Sequence, residues 1–364
     1  MNVVRQPSIH QDTGHAAGAE GLRIENYTES VRSRWDAFAH QHPDSTIFHT
    51  IAWKRSVERE FGFRAHYLYA ERDGLVRGIL PLFLVSNFVM GKVLMSTPFA
   101  VYGGPCADDQ SSSTALVNAA KDLAKDLDVQ HLEFRNRHQL SVGPEFHDKD
   151  LYVSFDRDLP NSEDELMKGL PRDTRYMIRK GLKAGLTSVI DNNQVATLHH
   201  IYAQSVRNLG TPVFSRRWFE ILREEFGDSL QILIVNSPEG PIAAVQSFKF
   251  REWIVPFYGG APLEARKYAA NNVMYWEVMR RAQAEGLTKF DFGRSKRETG
   301  AFFFKTQWSM AQHQLPYKYF LVRRKEMPNF SPNNKKFQLA IECWKRIPLG
   351  ATKVIGPPLV RLFP

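Results

Sequence analysis

The sequence predicts an α/β (α+β) protein in which mixed sheets are flanked by helices and one unit occurs twice. The main observation is an internal repeat, because the same order of hairpin, aromatic-glycine segment, helix and strand is found in both halves. The length of 364 residues is enough for two domains of ordinary size. The composition, with 43% hydrophobic and 24% charged residues, is that of a globular protein.

The first copy begins with a helix. TIAWKRSVEREFG places Trp53, Val57 and Phe61 on one helix face. RAHYLYAERDGLVRGILPLFLV then predicts two strands that turn at Asp73-Gly74. The segment VYGGP, the amphipathic helix STALVNAAKDLAKDLD and the strand HLEFRN follow. The predicted order is therefore helix, hairpin, strand, helix, strand.

The second copy repeats this order. SRRWFEILREEFG is again an amphipathic helix, and SLQILIVNSPEGPIAAVQSFKF is again a hairpin, which turns through Pro238-Glu239-Gly240. FYGGAP, the helix NNVMYWEVMRRAQAEG and the strand KFDFGR complete it. The register holds, since Tyr102 and Tyr258 are about 156 positions apart and Glu133 and Asp291 about 158. This order is similar to the GNAT acyltransferase fold in tandem, and two unrelated hairpin-containing domains are the alternative.

The repeat predicts the domain boundaries. Residues 1–21 are expected to be a flexible leader and residues 22–158 the first GNAT-like domain. Residues 159–192 form a basic helical insertion, which Ser162 and Glu165 open as a capping box. Residues 193–325 form the second GNAT-like domain, where we expect the chemistry, and residues 326–364 form a basic tail.

The net charge of +9 is concentrated in two segments. From Tyr317 onward there are ten basic residues against two acidic ones, and residues 170–186 hold five against one. The remainder is mildly acidic, which argues against general nucleic-acid binding and against DNA as a partner. Two cysteines without metal-ligand spacing, and no apolar run long enough to cross a bilayer, indicate a cytoplasmic protein without a metal site.

Cations form a stripe on the predicted helix PRDTRYMIRKGLKAGL. Their spacing brings them to one side of the helix, where like charges repel unless solvent or an anion compensates. A solvated surface helix is one interpretation, and a site for a pyrophosphate, a nucleotide or a tRNA backbone is the other, because guanidinium groups bind phosphate bidentately. The residues concerned are Arg172, Arg175, Arg179, Lys180 and Lys183.

The stretch FDFGRSKRETGAFFFKTQW holds the candidate catalytic residues. Asp291 ends a predicted strand, where open α/β sheets place ligands, and it could accept a proton from an amine nucleophile. Arg294 and Lys305 could stabilise the oxyanion that forms when an acyl group is attacked. The structural alternative is that the phenylalanines fill a core, Lys305 extends its charge to water and Asp291 forms an ion pair.

LPRDTRYMIRKGLKAGL, FYGGAP, FDFGRSKRETGAFFFKTQW and YKYFLV together resemble the FemAB-related proteins associated with the PEP-CTERM/exosortase system, over roughly Leu22 to Arg323. The resemblance implies transfer of an acyl or aminoacyl group to an amine of a cell-envelope or exopolysaccharide precursor. It implies that Lys305 stabilises the tetrahedral intermediate beside Phe304, and we add Ser295 and Tyr258 as substrate-binding residues. No bound cofactor is expected.

The acyl donor stays open at this stage among acyl-CoA, acyl carrier protein and aminoacyl-tRNA. The chain lacks the Gln/Arg-x-x-Gly-x-Gly/Ala loop that binds the coenzyme A pyrophosphate in ordinary acetyltransferases of this fold, and it lacks the long helical arm of some Fem enzymes. A non-catalytic accessory protein that binds a nucleotide-sugar or a lipid-linked anion is the alternative function.

The tail combines basic and apolar residues. In KFQLAIECWKRIPLG, one predicted helix face carries Phe337, Ile341, Trp344 and Ile347, and lysines and arginines lie near the other face. This composition is typical of a helix that lies on an anionic membrane surface, here the inner membrane. Packing of that face against the catalytic domain is the alternative.

Overall fold

A computed structural model describes residues 21–328 and 335–364, except for the side chains of residues 335–339. The predicted leader lies almost wholly outside these ranges. The helices of the described residues are α1 (Arg32–Gln41), α2 (Ile51–Phe61), α3 (Gln110–Asp126), α4 (Glu163–Lys168), α5 (Arg172–Lys183), α6 (Val195–Leu209), α7 (Arg216–Phe226), α8 (Ala270–Ala284), α9 (Gly300–Thr306), α10 (Lys335–Arg346) and α11 (Leu349–Val360). No helix in the described part of the chain has the length and apolar character needed to span a bilayer.

The strands of the described residues form three sheets. Those of the first half are β1 (Arg23–Asn26), β2 (Arg64–Ala65), β3 (Leu68–Arg72), β4 (Leu75–Leu80), β5 (Phe83–Asn87), β6 (Gly91–Met95), β7 (Cys106–Ala107), β8 (His131–Phe134), β9 (Phe146–Lys149) and β10 (Tyr152–Asp158). Those of the second half are β11 (Thr187–Ile190), β12 (Leu230–Ser237), β13 (Gly240–Phe250), β14 (Trp253–Gly260), β15 (Lys289–Lys296), β16 (Ala311–Gln314) and β17 (Tyr317–Leu321). The sheet orders are β1-β3-β4-β7, β2-β5-β6-β8-β17-β9 and β11-β12-β13-β14-β15-β10-β16.

Both predicted hairpins are confirmed, but the strand that follows the turn differs between the two halves. The first turn uses Asp73 and Gly74, both with positive φ, as a two-residue turn requires. The expected long strand after this turn is interrupted, because Pro81 has no N–H to donate to a ladder. The chain therefore leaves one sheet with β4 and enters another with β5, whereas the equivalent strand β13 is continuous over Gly240–Phe250.

The halves exchange strands. β10, which follows the first half in the chain, pairs with β15 and β16 in the second-half sheet. β17, which follows the second half, pairs with β8 and β9 in a first-half sheet. Each half is therefore completed by a strand from the other half. The predicted domains are consecutive segments of the chain and do not include this exchange. The boundaries 22–158, 159–192 and 193–325 stay a prediction.

One aromatic core joins the halves. The predicted helices TIAWKRSVEREFG and SRRWFEILREEFG are α2 and α7, and they pack against each other. Trp53 and Trp218, both fully buried, meet edge to face with ring centroids 5.6 Å apart. At the rim, Arg59 pairs with Glu224 and Glu225 at 2.6 and 2.7 Å. A second core lies on the other face of the second-half sheet, under α8.

The tail packs on the second half. The indole of Trp344 is buried and donates to the carbonyl of Thr211 at 3.0 Å. Ile341 lies beside Gly210, at the end of α6. The α10 face that the sequence offers to a membrane is thus covered by the protein itself at both positions. The prediction for Phe337 falls outside the described side chains.

Candidate active site

The site is an opening between two parallel strands. β14 and β15 pair only at Trp253 with Lys289 and at Ile254 with Phe290. Beyond this point β14 continues along β13 while β15 continues along β10, so the two strands diverge. Asp291 is the first residue of β15 past the divergence. Openings at the carboxyl ends of parallel strands are where α/β sheets bind ligands.

Asp291 is buried at the start of the opening. Its carboxylate accepts a hydrogen bond from the amide of Gly293 at 2.7 Å. It lines a small cavity together with Tyr102 and Arg137 from the first half. Burial raises the pKa of Asp291, and Arg137 opposes that rise. A carboxyl with a raised pKa that remains close to a cation is suited to accept a proton.

A β-bulge next to Asp291 builds the lysine site. Along the β10–β15 ladder, Ser154 pairs with Arg294 and Asp156 with Asp291, so Phe292 and Gly293 together face only Phe155. Gly293 has φ 68°, a conformation that glycine adopts without steric cost. The carbonyls of Gly293 and Arg294, at and directly after the bulge, receive the ammonium of Lys305.

Lys305 is held in this bulge by α9, whose start is capped by Thr299. Its ammonium donates to the carbonyls of Gly293 and Arg294 at 3.1 and 2.9 Å. The rings of Phe155 and Phe292 lie 5.7 and 5.3 Å from the nitrogen. Burial lowers the pKa of Lys305 to about 7, against the influence of Asp291, which raises it. Lys305 therefore does not extend its charge to water. This differs from the structural alternative, which assumed that it does.

The lowered pKa of Lys305 predicts a pH-dependent stability. A lysine in the unfolded chain titrates near 10.4, so between about pH 7 and 10 the unfolded state binds more protons than the folded state. The free energy of unfolding should rise with pH in this window, by at most about 1.4 kcal/mol per pH unit. In Lys305→Met that rise should be absent when urea unfolding is compared at pH 7 and 9. An identical rise in the variant would show that Lys305 titrates normally.

The three consecutive phenylalanines have different surroundings. Phe302 packs on Phe155, with ring centroids 5.6 Å apart, whereas Phe303 is more than half exposed. Phe304 lies in the second core against Tyr275 and Trp308, at 5.8 and 5.9 Å. Phe302 and Phe304 thus form an apolar support for α9 and Lys305. Direct contact of Phe304 with a substrate stays a prediction.

The other predicted residues of this stretch are engaged within the protein. Arg294 lies over the ring of Tyr152 at 4.7 Å and donates to the hydroxyl of Tyr317 at 3.1 Å. The buried hydroxyl of Ser295 has no hydrogen-bond partner among the described residues. Tyr258, on β14, packs in the shared aromatic core. Their substrate-binding and catalytic roles stay predictions.

The structure adds two residues that the sequence did not single out for a role. Tyr102 lines the cavity of Asp291, and Arg137 stacks over the rings of Trp253 and Tyr102 at 4.4 and 5.6 Å. Arg137 also lines a polar cavity of about 290 Å³ in the first half, together with Asp44, Asp108 and His138. The repeat aligned Tyr102 with Tyr258, but no pattern in the sequence predicts that Tyr102 or Arg137 lies close to Asp291.

The basic helix α5 packs beside this site. Thr174, Ile178 and Gly181 form its buried face, and the hydroxyl of Thr174 donates to the carbonyl of Gln307 at 2.5 Å, just after α9. Arg175 turns inward to the carbonyls of Lys168 and Leu170. The other cations of the stripe are exposed, and none of them forms an ion pair with a carboxylate of the described residues: Arg172, Arg179, Lys180 and Lys183.

The equivalent opening of the first half is closed. β6 and β8 are also parallel and pair only at Leu94 with Leu132 and at Met95 with Glu133. Past this point Arg135 crosses the gap and donates to the carbonyls of Thr97 and Ala100, both at 3.2 Å. Its equivalent in the second half is Gly293, which has no side chain to fill the gap. The two halves therefore differ at the position where a ligand would enter.

Comparisons with known proteins agree with this architecture. Residues 171–306 match the family model described as an acetyltransferase (GNAT) domain. The match runs from Pro171, just before α5, to Thr306, just after Lys305. No curated protein sequence matches the chain at a significant level.

Solved structures share the fold at low sequence identity. FemX is 15% identical, with 83% of this chain and 98% of that chain covered and a TM-score of 0.67. The C-terminal domain of a putative lysylphosphatidylglycerol synthetase from Agrobacterium fabrum is 13% identical, with 81% and 92% covered and a TM-score of 0.54. A tandem GNAT protein from the clavulanic acid biosynthesis pathway is 13% identical, with 84% and 100% covered and a TM-score of 0.52. Residues 171–306 thus carry a GNAT-like domain, and the chain has the mixed α/β fold that FemX and tandem GNAT proteins share.

Proposed function

We propose that this chain transfers an acyl or aminoacyl group to an amine at the opening between β14 and β15. The observation that carries the proposal is Lys305, a partly buried lysine held on two bulge carbonyls with a pKa of about 7. Burying an ammonium without a paired carboxylate is costly, and such costs concentrate at functional sites. The GNAT domain match and the transferase neighbours support acyl or aminoacyl transfer in general.

The proposed step divides the chemistry between two residues. The amine nitrogen attacks the acyl carbonyl carbon, the new C–N bond forms, and the proton of the amine passes to the Asp291 carboxylate. The carbonyl electron pair becomes an oxyanion next to the Lys305 ammonium, which has one N–H left to donate. When the electron pair of the oxyanion re-forms the carbonyl double bond, the bond to the leaving sulfur or ester oxygen breaks. The leaving group then takes the proton from Asp291.

The cations of α5 and the polar cavity of the first half support separate entrances for the acyl donor and the amine acceptor. The exposed cations of α5, near α9, suit the phosphates of acyl-CoA, of an acyl carrier protein or of aminoacyl-tRNA. The polar cavity of the first half reaches Arg137, which also borders the cavity of Asp291. An amine-bearing precursor of the cell envelope or of an exopolysaccharide is the acceptor we propose. The association with the PEP-CTERM system stays a prediction from sequence.

Titration with two donors tests this assignment. Wild type and Arg179→Ala are titrated with acetyl-CoA and with charged tRNA at two salt concentrations. Arg179→Ala should weaken donor binding up to about fivefold at low salt, the range of an exposed ion pair, and less at high salt. Arg216→Ala, an exposed arginine on α7, is the matched control and should bind like wild type.

Each outcome of the titration has a separate meaning. Binding of acetyl-CoA that depends on Arg179 indicates a thioester donor, and binding of tRNA alone indicates an aminoacyl donor. Binding of neither probe, with nucleotide-sugars bound instead, would replace the proposal with the non-catalytic accessory function.

A further inference from the structure

The outer face of α11 is apolar and exposed. Its inner face, through Thr352, Gly356 and Val360, is buried, and an ideal Cβ on Gly356 would come within 2.6 Å of the carbonyl oxygen of Val213. On the opposite side Val354 is 74% and Ile355 is 45% exposed. Among the described side chains of the tail, these large exposed apolar ones lie on α11, one helix after the face that the sequence indicated.

A second element brings another large apolar side chain close to the end of the tail. Phe88, in the turn between β5 and β6, is 87% exposed. The neighbouring Asn87 donates its side-chain amide to the carbonyl of Leu362 at 3.3 Å, which fixes this turn beside the end of the tail. Phe363, next in the chain, is 42% exposed. We call Phe88, Val354, Ile355 and Phe363 the apolar strip.

The tail that carries most of the apolar strip is basic. Residues 335–364 hold six lysines and arginines and a single acidic residue, Glu342, which pairs with Lys345 at 2.6 Å. Lys353 adjoins Val354 in sequence, and Arg361 is exposed between the helix and Phe363. Apolar side chains interleaved with cations match the two parts of an anionic bilayer, its acyl chains and its headgroups.

We propose that this surface docks the protein on an anionic phospholipid membrane as a peripheral protein. The strip inserts its side chains at the boundary between headgroups and acyl chains, and the cations beside it, Lys353 and Arg361, contact the headgroup phosphates. A neutral membrane accepts the apolar side chains but has no net negative charge to attract the cations, so binding requires anionic lipid. This inference concerns where the protein acts and is independent of the transfer chemistry at Lys305.

Sedimentation with vesicles tests the proposal on the full chain. Wild type should co-sediment with vesicles of phosphatidylcholine and phosphatidylglycerol in equal parts, but not with phosphatidylcholine vesicles, and added salt should weaken binding. The double variant Val354→Asp with Ile355→Asp, and separately Phe88→Asp, should reduce the membrane partition coefficient by about tenfold or more. All three positions are exposed, so the variants should keep the wild-type circular dichroism.

Leu263→Asp is the matched control. Leu263 is 48% exposed and precedes α8, which packs on the opposite face of the second-half sheet from α6 and the tail. This variant should bind vesicles like wild type. Absence of wild-type binding to anionic vesicles, or equal binding by wild type and the strip variants, overturns the proposal. A wild-type dimer that Val354→Asp dissociates in sedimentation velocity would also overturn it, because the strip would then contact a second copy of the chain.

Discussion

Replacing Lys305 with methionine is expected to lower kcat by about 10²–10³, the usual loss when one donor to a developing oxyanion is removed. Methionine keeps the length of the side chain and the contacts with Phe155 and Phe292, but it has no proton to donate. The KM for the donor should change less, since Lys305 acts on the transition state. Steady-state kinetics with the donor identified by titration measures both quantities.

Lys289→Met is the control for this variant. Lys289 begins the same strand, β15, but its side chain lies at the surface, where it pairs with Asp158 at 2.6 Å. It should leave kcat unchanged. If Lys305→Met keeps the wild-type kcat in a folded protein, Lys305 is a structural residue and the assignment of the site is wrong.

Replacing Asp291 with asparagine is expected to lower kcat/KM by about 10²–10⁴, the range for loss of a general base. The pH profile should change as well. The wild-type rate should rise with pH through the raised pKa of Asp291, because the base must be deprotonated, and fall above about pH 7 as Lys305 loses its proton. Asp291→Asn should lose the acidic limb, and its basic limb should move to lower pH, because Asp291 raises the pKa of Lys305.

Asp158→Asn serves as the control, since Asp158 lies on the adjacent strand β10 and is 80% exposed at its side chain. It should keep the wild-type profile. An unchanged acidic limb in Asp291→Asn would assign that limb to another group.

Local patterns in the sequence predicted the elements of the repeat. The turn at Asp73-Gly74, the amphipathic helices α2, α3 and α7, the helix α8 and the capping of α4 by Ser162 depend on residues within a few positions of one another, and the structure has them. The strand exchange was not predicted. β10 and β17 pair with strands more than 130 positions away, and neither composition nor periodicity specifies such a partner.

In the candidate site, too, the sequence predicted the local features but not those that depend on distant parts of the chain. Asp291 and Lys305 stood out because a strand end and a Phe-Lys pair are local features. The bulge that receives Lys305 depends on the register between β10 and β15, which only the folded sheet sets. Tyr102 and Arg137 reach Asp291 across the boundary between the halves, so their part in the site could not be read from positions near either residue.

The most direct test of the central claim is a single-turnover experiment that separates binding from transfer. Wild type and Lys305→Met are each saturated with radiolabelled acetyl-CoA or charged tRNA, whichever binds, and mixed with a panel of amino sugars and amine-bearing peptides. The account predicts that both proteins bind the donor and that only wild type forms labelled amide at a substantial rate. Equal amide formation by Lys305→Met, or donor binding by wild type with no amide formed from any acceptor, would contradict it.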